Sequence, residues 1–244
     1  MIDLGQDLHV HSSEYSRDAF STITENIRAA EVIGLNTLGL ADHVRSDSMW
    51  LPQKREQLLT LGNSADIEIL FGIEAKILNR AGDIDAPKKI VGVDYILIAD
   101  HRFPSENGPL EPSIVRQMIH EGEMTATAAI SCIIDAMINS LSAVARLPYP
   151  PILAHPFSLL PKLGLSERMI STEQLERLGE VLISKGALLE INEKWNCPSS
   201  HVALYMSSNG VALVAGSDAH VAAEVGVYSQ VREIESESVG ADGR

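Results

Sequence analysis

The sequence Asp7-Leu8-His9-Val10-His11-Ser12 ends a short apolar run near the N-terminus and places two histidines two residues apart. In a β-strand, residues i and i+2 lie on the same face of the sheet, so both imidazoles point to one place and can bind one metal ion. This stretch therefore predicts the first strand of the fold and the first part of a metal site.

The chain continues as short apolar runs that alternate with segments of helical periodicity, which is typical of β/α units around a parallel sheet. Thr22 and Glu25 have the spacing of a capping box, which predicts a helix that runs to Gly34. The predicted strands end at or near His11, Ala41, Ile73, Ala99, Ala154, Ile191 and Ala215. The predicted fold class is α/β, with one domain over residues 1–233. Residues 234–244 are rich in Ser, Glu and Gly and predict a disordered tail.

The composition limits the class of partner. The 244 residues include 19 basic and 33 acidic side chains, and the net charge of −14 disfavours long nucleic acid. Cys132 and Cys197 do not form a CxxC motif, and no basic region with a long apolar run begins the chain, so a cytoplasmic protein with reduced thiols is expected.

The apolar segment from Ala126 to Leu147 carries Asp135 and Arg146, which favours a buried helix over a membrane span. The composition gives no indication of the oligomeric state.

Six of the eight histidines lie at or just after the end of a predicted strand. They are His9, His11, His43, His101, His155 and His220. The strand ends of a parallel barrel converge on one face, which is where such folds carry their chemistry. Any one of these histidines, taken alone, is better explained as a strand-end cap or a partly buried hydrogen-bonding group than as a metal ligand. Six of them beside Glu74 and Asp218 predict instead a cluster that divalent cations stabilise.

Three motifs together resemble the polymerase-and-histidinol-phosphatase family, known as PHP. They are the N-terminal motif, Ala41-Asp42-His43, and Gly216-Ser217-Asp218-Ala219-His220. The resemblance covers about residues 3–230. It implies a distorted seven-stranded (β/α) barrel, similar to a TIM barrel, with a metal cluster at the C-terminal face of the strands. The independent count of predicted strands is also seven.

The resemblance implies two to three divalent ions, which are Zn, Mn or Fe. The implied ligands are His9, His11, Glu74 and Asp218 for the first ion, Glu74, His101 and His155 for the second, and Asp18, His43 and His220 for the third. Asp7, Asp42 and Asp100 each adjoin a ligand. A carboxylate in such a position can hydrogen-bond to the outer nitrogen of a histidine and fix its tautomer.

The implied reaction is hydrolysis of a phosphate ester by metal-activated hydroxide, with a small phosphomonoester, as in histidinol phosphatases, as the expected substrate. Glu74, Asp218 and His220 are the predicted catalytic residues, and His220 is a candidate proton donor to the leaving group. The candidate substrate-binding residues are Arg102, Arg45, Arg17, Lys194 and Asn192. The planar fork of an arginine suits two phosphate oxygens. The loop from Phe103 to Pro112 and the helices after it are a candidate lid.

Three other functions fit parts of the pattern. A metal-dependent amidohydrolase also begins with His-x-His and ends with an Asp, but it lacks the Asp-His and Asp-Ala-His motifs. A nuclease or phosphodiesterase that acts on nucleotide ends occurs in the family that the chain resembles. A metal-binding module without catalysis is the third alternative.

Overall fold

The computed structural model describes residues 2–144 and 149–242. Its seven main strands are β1 (Gln6–Val10), β2 (Thr37–Val44), β3 (Glu68–Ile77), β4 (Tyr95–Ala99), β5 (Ile152–Ala154), β6 (Leu188–Asn192) and β7 (Leu213–Gly216). Its helices are α1 (Ile23–Ile33), α2 (Leu51–Gly62), α3 (Pro112–His120), α4 (Ala126–Ala143), α5 (Thr172–Lys185), α6 (Ser200–Ser208) and α7 (Gln230–Asp242).

The seven strands lie side by side in chain order, and each pairs in parallel with the next. An isolated parallel bridge between Val10 and Ala219 joins the end of β1 to the segment after β7. The Asp7 carboxylate strengthens this closure, because it accepts hydrogen bonds from Ser217 N at 3.0 Å and Gly226 N at 2.8 Å. The result is a nearly closed barrel of seven parallel strands, which confirms the predicted fold class.

Two strands run further than the sequence predicts. The ladder between β2 and β3 continues through the pairs His43–Glu74 and Val44–Ala75, and a short strand at Ile84–Asp85 pairs with the end of β3. His43 and Glu74 therefore lie inside strands instead of after them. Backbone pairing with both neighbours holds the Glu74 main chain rigidly in the barrel wall.

Helix α1 begins with the predicted capping box. The Thr22 side chain accepts a hydrogen bond from Glu25 N, and the Glu25 carboxylate accepts one from Thr22 N. On the inner side of α1, the Asn26 side chain donates to His11 O at 2.8 Å. The first helix thus fixes the main chain at the second histidine of the N-terminal motif.

The segment between β4 and β5 packs on the outside of the barrel. A hairpin of strands Phe103–Ser105 and Gly108–Leu110 leads to α3 and α4, and Phe103 is buried beneath α4. Helix α4 is long and apolar enough to cross a membrane by length and composition, but half of it is buried against the hairpin, α5 and the barrel. It is the predicted buried helix, and residues 145–147 of that prediction lie outside the described residues. A pocket next to the predicted ligand residues His43, Glu74 and His101 is lined by no residue of the hairpin, α3 or α4, which gives no support to the predicted lid.

The C-terminal segment differs from the expected disordered tail, because α7 extends over Gln230–Asp242. Val231 and Ile234 lie three residues apart on one face of this helix and are buried against Ile191 and Ala203. These apolar contacts stabilise the start of a helix whose remaining sequence is mostly polar. Residues 243–244 lie outside the described residues.

Tyr95 fills the lower interior of the barrel and donates a hydrogen bond to Leu8 O at 2.6 Å. Gly39 and Gly72 face its ring, and a Cβ atom at either position would overlap the Tyr95 side chain. Above this layer the interior becomes charged, since Glu74 and Glu190 point inward and both are buried. The two glycines therefore let one large side chain seal the barrel beneath the candidate site.

Candidate metal centre

The Glu74 carboxylate is the centre of the cluster and is only 1% exposed. Histidines from four strand ends surround it. Its Oε2 atom lies 2.6 Å from His43 Nδ1, 3.6 Å from His9 Nε2 and 3.6 Å from His11 Nε2. Its Oε1 atom lies 2.9 Å from His101 Nε2 and 3.0 Å from His155 Nε2. The two oxygens thus face two separate groups of imidazoles, which is the arrangement that a carboxylate bridging two cations requires.

Two further carboxylates complete the cluster. Asp218 Oδ1 lies 3.4 Å from both His11 Nε2 and His220 Nδ1. Asp18, in the loop after β1, has its Oδ2 atom 3.4 Å from both His43 Nε2 and His220 Nε2. All nine residues that the sequence predicts as ligands therefore lie in one continuous cluster at the C-terminal end of the barrel. Their division among three ions remains a prediction.

The donor atoms fit divalent cations. Within the described residues, the buried atoms His9 Nε2, His11 Nε2 and Glu74 Oε2 have no partner in hydrogen-bonding geometry, although Glu74 Oε2 lies 2.6 Å from His43 Nδ1 and His11 Nε2 lies 3.4 Å from Asp218 Oδ1. A buried polar atom without a partner is costly, and such atoms mark sites that bind an ion or water. Ligand atoms of these three residues lie within 4.8 Å of one another, as do those of His43, Glu74 and His101. Imidazole nitrogens with carboxylate oxygens are donors that Zn, Mn and Fe accept.

The electrostatics of the cluster favour cations. Burial alone would raise the pKa of Glu74, but the surrounding histidines, His43 first, lower this pKa well below its usual range. Burial disfavours a charge on His43, yet the Glu74 and Asp18 carboxylates outweigh it and raise its pKa to about 10. His11 is different, because burial lowers its pKa to about 4. The carboxylates thus stay ionised and attract any positive charge, whether proton or metal.

Two of the candidate ligands have unusual backbone conformations. His155 has a φ angle of 29° and Asp218 one of 54°, both in the left-handed region that favours glycine. Residues held in such conformations cluster at functional sites, where the surrounding contacts compensate for the strain. At both positions the strand has just ended, and the turn aims the side chain back over the barrel.

Glu190 belongs to the cluster, although the sequence patterns did not predict it. It points inward from β6, where its Oε1 atom lies 2.7 Å from His9 Nδ1 and its Oε2 atom accepts a 2.5 Å hydrogen bond from His155 N. It therefore orients one ligand ring and the main chain of another ligand. Gly216 lies opposite, and a Cβ atom there would collide with the Glu190 carboxylate. The available signal was an acidic residue two positions before Asn192 in an otherwise apolar strand.

The acidic residues next to the ligands support them in different ways. Asp42 does not touch a ring directly. It accepts 2.7 Å hydrogen bonds from Ser12 N and Ser16 Oγ, and Ser16 Oγ lies 3.3 Å from His11 Nδ1. The hydroxyl of Ser158 similarly links Asp100 to His155 Nδ1, at 3.3 and 3.2 Å.

The turn after β6 packs on the Asp218 side of the cluster. Lys194 Nζ lies 2.8 Å from His220 Nδ1 and 3.4 Å from Asp218 Oδ1. Trp195 Nε1, which the sequence analysis did not identify, donates to Asp218 Oδ2 at 2.9 Å. Asn192 bonds the Glu190 carboxylate and Trp195 N, so it organises this turn.

A pocket of about 610 Å³ opens from the cluster, and His43, Glu74 and His101 form part of its wall. Arg17 and Arg45 line it, as does Lys76, which the sequence analysis missed. Arg102 does not line this pocket, and its guanidinium pairs with Glu111 at 2.8 Å. The volume is typical of a site for a small ligand.

Comparison with known protein families shows to which family the chain belongs. The PHP domain family matches residues 7–194, which is most of the chain. The chain belongs to the PHP family. A second family, described as PHP-associated, matches residues 202–239 and so includes most of α6 and most of α7.

Relatives and solved structures agree with this membership. A probable phosphatase of Clostridium acetobutylicum is 25% identical over 233 residues, which cover 93% of this PHP protein and 84% of the relative. A probable phosphatase of Photobacterium profundum is 24% identical, with 93% and 83% covered.

Two solved structures share the fold. The histidinol phosphate phosphatase of Lactococcus lactis has a TM-score of 0.65 at 17% identity, with 96% of this chain and 93% of that one covered. The putative histidinol phosphatase of Listeria monocytogenes has a TM-score of 0.67 at 14% identity, with 91% and 97% covered. Family membership thus confirms the barrel and the enzyme class, a phosphoesterase, that the motifs predicted.

Proposed function

We propose that this PHP protein hydrolyses a small phosphomonoester with the help of two to three divalent ions, which are Zn, Mn or Fe. The proposal rests on the arrangement of the cluster around Glu74. Glu74 presents its two oxygens to two groups of histidines, several donor atoms are buried without a partner, and the cluster opens into a small pocket with basic residues. The relatives named as probable phosphatases support the same reaction, and the expected location is the cytoplasm.

The chain supplies four things to this reaction. The predicted ligand residues would hold the cations, whose chemistry when bound would be to lower the pKa of water and to neutralise charge on the phosphoryl oxygens. Glu190 and Ser16 orient His9 and His11 by hydrogen bonds. Arg17 and Arg45 line the pocket that receives the ester. Lys194 Nζ, beside His220 Nδ1, is a source of the proton that the leaving alkoxide takes up.

The test is a phosphate-release screen over a library of phosphorylated metabolites, repeated with Zn²⁺, Mn²⁺ and Fe²⁺. We expect turnover of one class of phosphomonoester. Asp218→Asn and Glu74→Gln should reduce it by orders of magnitude, because each keeps the side-chain shape but removes the charge that holds cations. Glu106→Gln, on the exposed hairpin, is the matched control and should retain activity.

Parallel assays on amides, lactams and single-stranded oligonucleotides, together with a measurement of bound metal, separate the other functions. Turnover of amides or lactams without any phosphoester would indicate an amidohydrolase. Faster, salt-sensitive degradation of single-stranded oligonucleotides would indicate a nuclease. Tight metal binding without turnover of any compound would indicate a metal-binding module without catalysis.

A further inference from the structure

Two neighbouring strands carry the same arrangement of residue types. Arg45 follows His43 by two residues and comes directly after the end of β2 at Val44, and on β3, Lys76 follows Glu74 by two residues. The ladder pairs His43 with Glu74 and ends at the pair Val44–Ala75, so Arg45 and Lys76 each follow a member of that last pair. Side chains two apart on a strand share a face, which places Lys76 on the face of Glu74, and Arg45 lines the same pocket as Lys76, His43 and Glu74. Arg45 and Lys76 are called the basic row. The spacing along each strand is about 6.6 Å, from about 3.3 Å per residue.

Both residues of this basic row line the 610 Å³ pocket, and Arg17 lines it from the loop after β1. Within the described residues, the Arg17 and Arg45 guanidinium groups form no salt bridge. Lys76 Nζ lies 3.6 Å from Asp85 Oδ2, which leaves room for a further anionic partner.

The charge balance of the pocket differs from that of the chain. Three basic residues line it against four acidic ones, of which Asp18 and Glu74 are candidate ligands whose charge bound cations would neutralise. The remaining lining residues, Arg17, Arg45 and Lys76 with Asp47 and Asp85, have a net charge of +1, in a chain whose net charge is −14. Cations in a small concave site attract anions strongly, and an arginine fork suits a carboxylate or a phosphate.

We propose that the substrate carries a second anionic group, a carboxylate or a phosphate, a few atoms from the phosphate that is cleaved, and that Arg45 and Lys76 bind it with Arg17. This inference rests on the proposed function, which places the cleaved phosphate at the cluster. The basic row lies one step further along the strands, where the alcohol part of the ester would extend. In the reaction, water adds to phosphorus and the ester P–O bond breaks. The alcohol leaves with a proton and keeps its second anionic group.

The test compares esters that differ by one anionic group. The carboxylate pair is 3-phosphoglycerate and glycerol 3-phosphate, and the phosphate pair is propane-1,3-diol bisphosphate and the corresponding monophosphate. With the metal-loaded protein, we expect kcat/KM to be about tenfold higher for the doubly anionic member of at least one pair, beyond the factor of two that two equivalent esters give. The pair that shows the preference identifies the anion.

Arg45→Gln and Lys76→Gln should each reduce this ratio towards its value without a preference, which is about one for the carboxylate pair and about two for the phosphate pair. Arg28→Gln, an exposed change on α1, should leave the ratio unchanged. Ratios at these values in the unmodified protein, with phosphate released from all four esters, would overturn this inference alone. An unchanged preference in the Arg45→Gln and Lys76→Gln variants would also overturn it. No phosphate release from any of the esters or from the metabolite library would contradict the proposed function, and this inference with it.

Discussion

Lys54 supports the candidate metal centre indirectly, through Asp42, and does not itself contact a candidate ligand residue. Its side chain is fully buried between the rings of Tyr15, Trp50 and Phe71, with 5.0 Å from Nζ to the nearest ring centre. Lys54 Nζ donates to Asp42 Oδ2 at 2.6 Å, and Asp42 in turn holds the hydroxyl that faces His11. Burial lowers the pKa of Lys54, and Asp42 opposes this shift. The ammonium is thus the counter-charge of a buried carboxylate.

We predict that Lys54→Met lowers the free energy of unfolding by about 3–5 kcal/mol, because it leaves the Asp42 charge buried without a partner. The neighbouring change Arg55→Met is the control. Its ion pair with Asp94 is partly exposed, so the cost should be within about 1 kcal/mol. Adding Asp42→Asn to Lys54→Met should recover part of the loss. Urea unfolding of the four proteins measures this, and equal stability of Lys54→Met and Arg55→Met would disprove the role.

At the scale of single residues, the sequence predicted the histidines and carboxylates of the cluster because they stand where apolar strands end. It did not predict Glu190, Lys54 or Lys76. Glu190 and Lys76 lie on strand positions whose inward orientation depends on the closure of the barrel. Lys54 is hidden in a polar helix, where a lysine is ordinarily exposed.

Among the elements, β3 carries both the centre of the site and the packing beneath it. Gly72 lies two residues before Glu74, and a Cβ atom at this position would overlap the Tyr95 ring. We predict that Gly72→Ala lowers the free energy of unfolding by about 1–3 kcal/mol, as overpacking of a core does. Gly62→Ala, at the end of α2 with no atom within 4 Å of the added Cβ, is the control. It should stabilise the protein by up to about 1 kcal/mol.

Thermal unfolding measures this prediction. Each 1 kcal/mol should shift Tm by about 2–4 °C in a chain of this size. A Gly72→Ala protein as stable as the Gly62→Ala protein would show that the barrel interior has space that the structure does not indicate.

The order and type of the elements were predictable because strand and helix periodicities alternate so regularly. The ends of β2 and β3 were not, because the extra pairs arise from the ladder between neighbouring strands. The start of α7 was also missed. Val231 and Ile234 are two apolar residues in a polar sequence, and they become informative only when α6 and β6 provide a surface for them.

For the molecule as a whole, protons and cations compete for the same cluster. In the metal-free protein the carboxylates raise the pKa of both His43 and His155 to about 10, although burial opposes this for each. Protonation of these two histidines therefore stabilises the metal-free fold. The contribution is complete below the ordinary pKa of histidine, about 6.5, and it is lost as the pH rises towards 10. Metal binding has the opposite pH dependence, since these imidazoles must first lose their protons.

We therefore predict that binding of Zn²⁺ to the metal-free protein at pH 7.5 releases protons, and that the apparent affinity falls as the pH is lowered. His11, with its pKa of about 4, should contribute no proton. Calorimetric titration in two buffers of different ionisation enthalpy gives the number of protons released. Identical heats in both buffers would show that His43 and His155 are neutral before the metal binds.

The central claim is that this PHP protein needs its metal cluster to hydrolyse phosphomonoesters. The most direct measurement strips the purified protein with a chelator, returns Zn²⁺ or Mn²⁺ in counted equivalents, and follows phosphate release from p-nitrophenyl phosphate at each step. We expect no release from the stripped protein, a rise to a plateau at two to three ions per chain, and almost no release from Asp218→Asn at any metal concentration. Hydrolysis by the stripped protein at the rate of the metal-loaded one would contradict it.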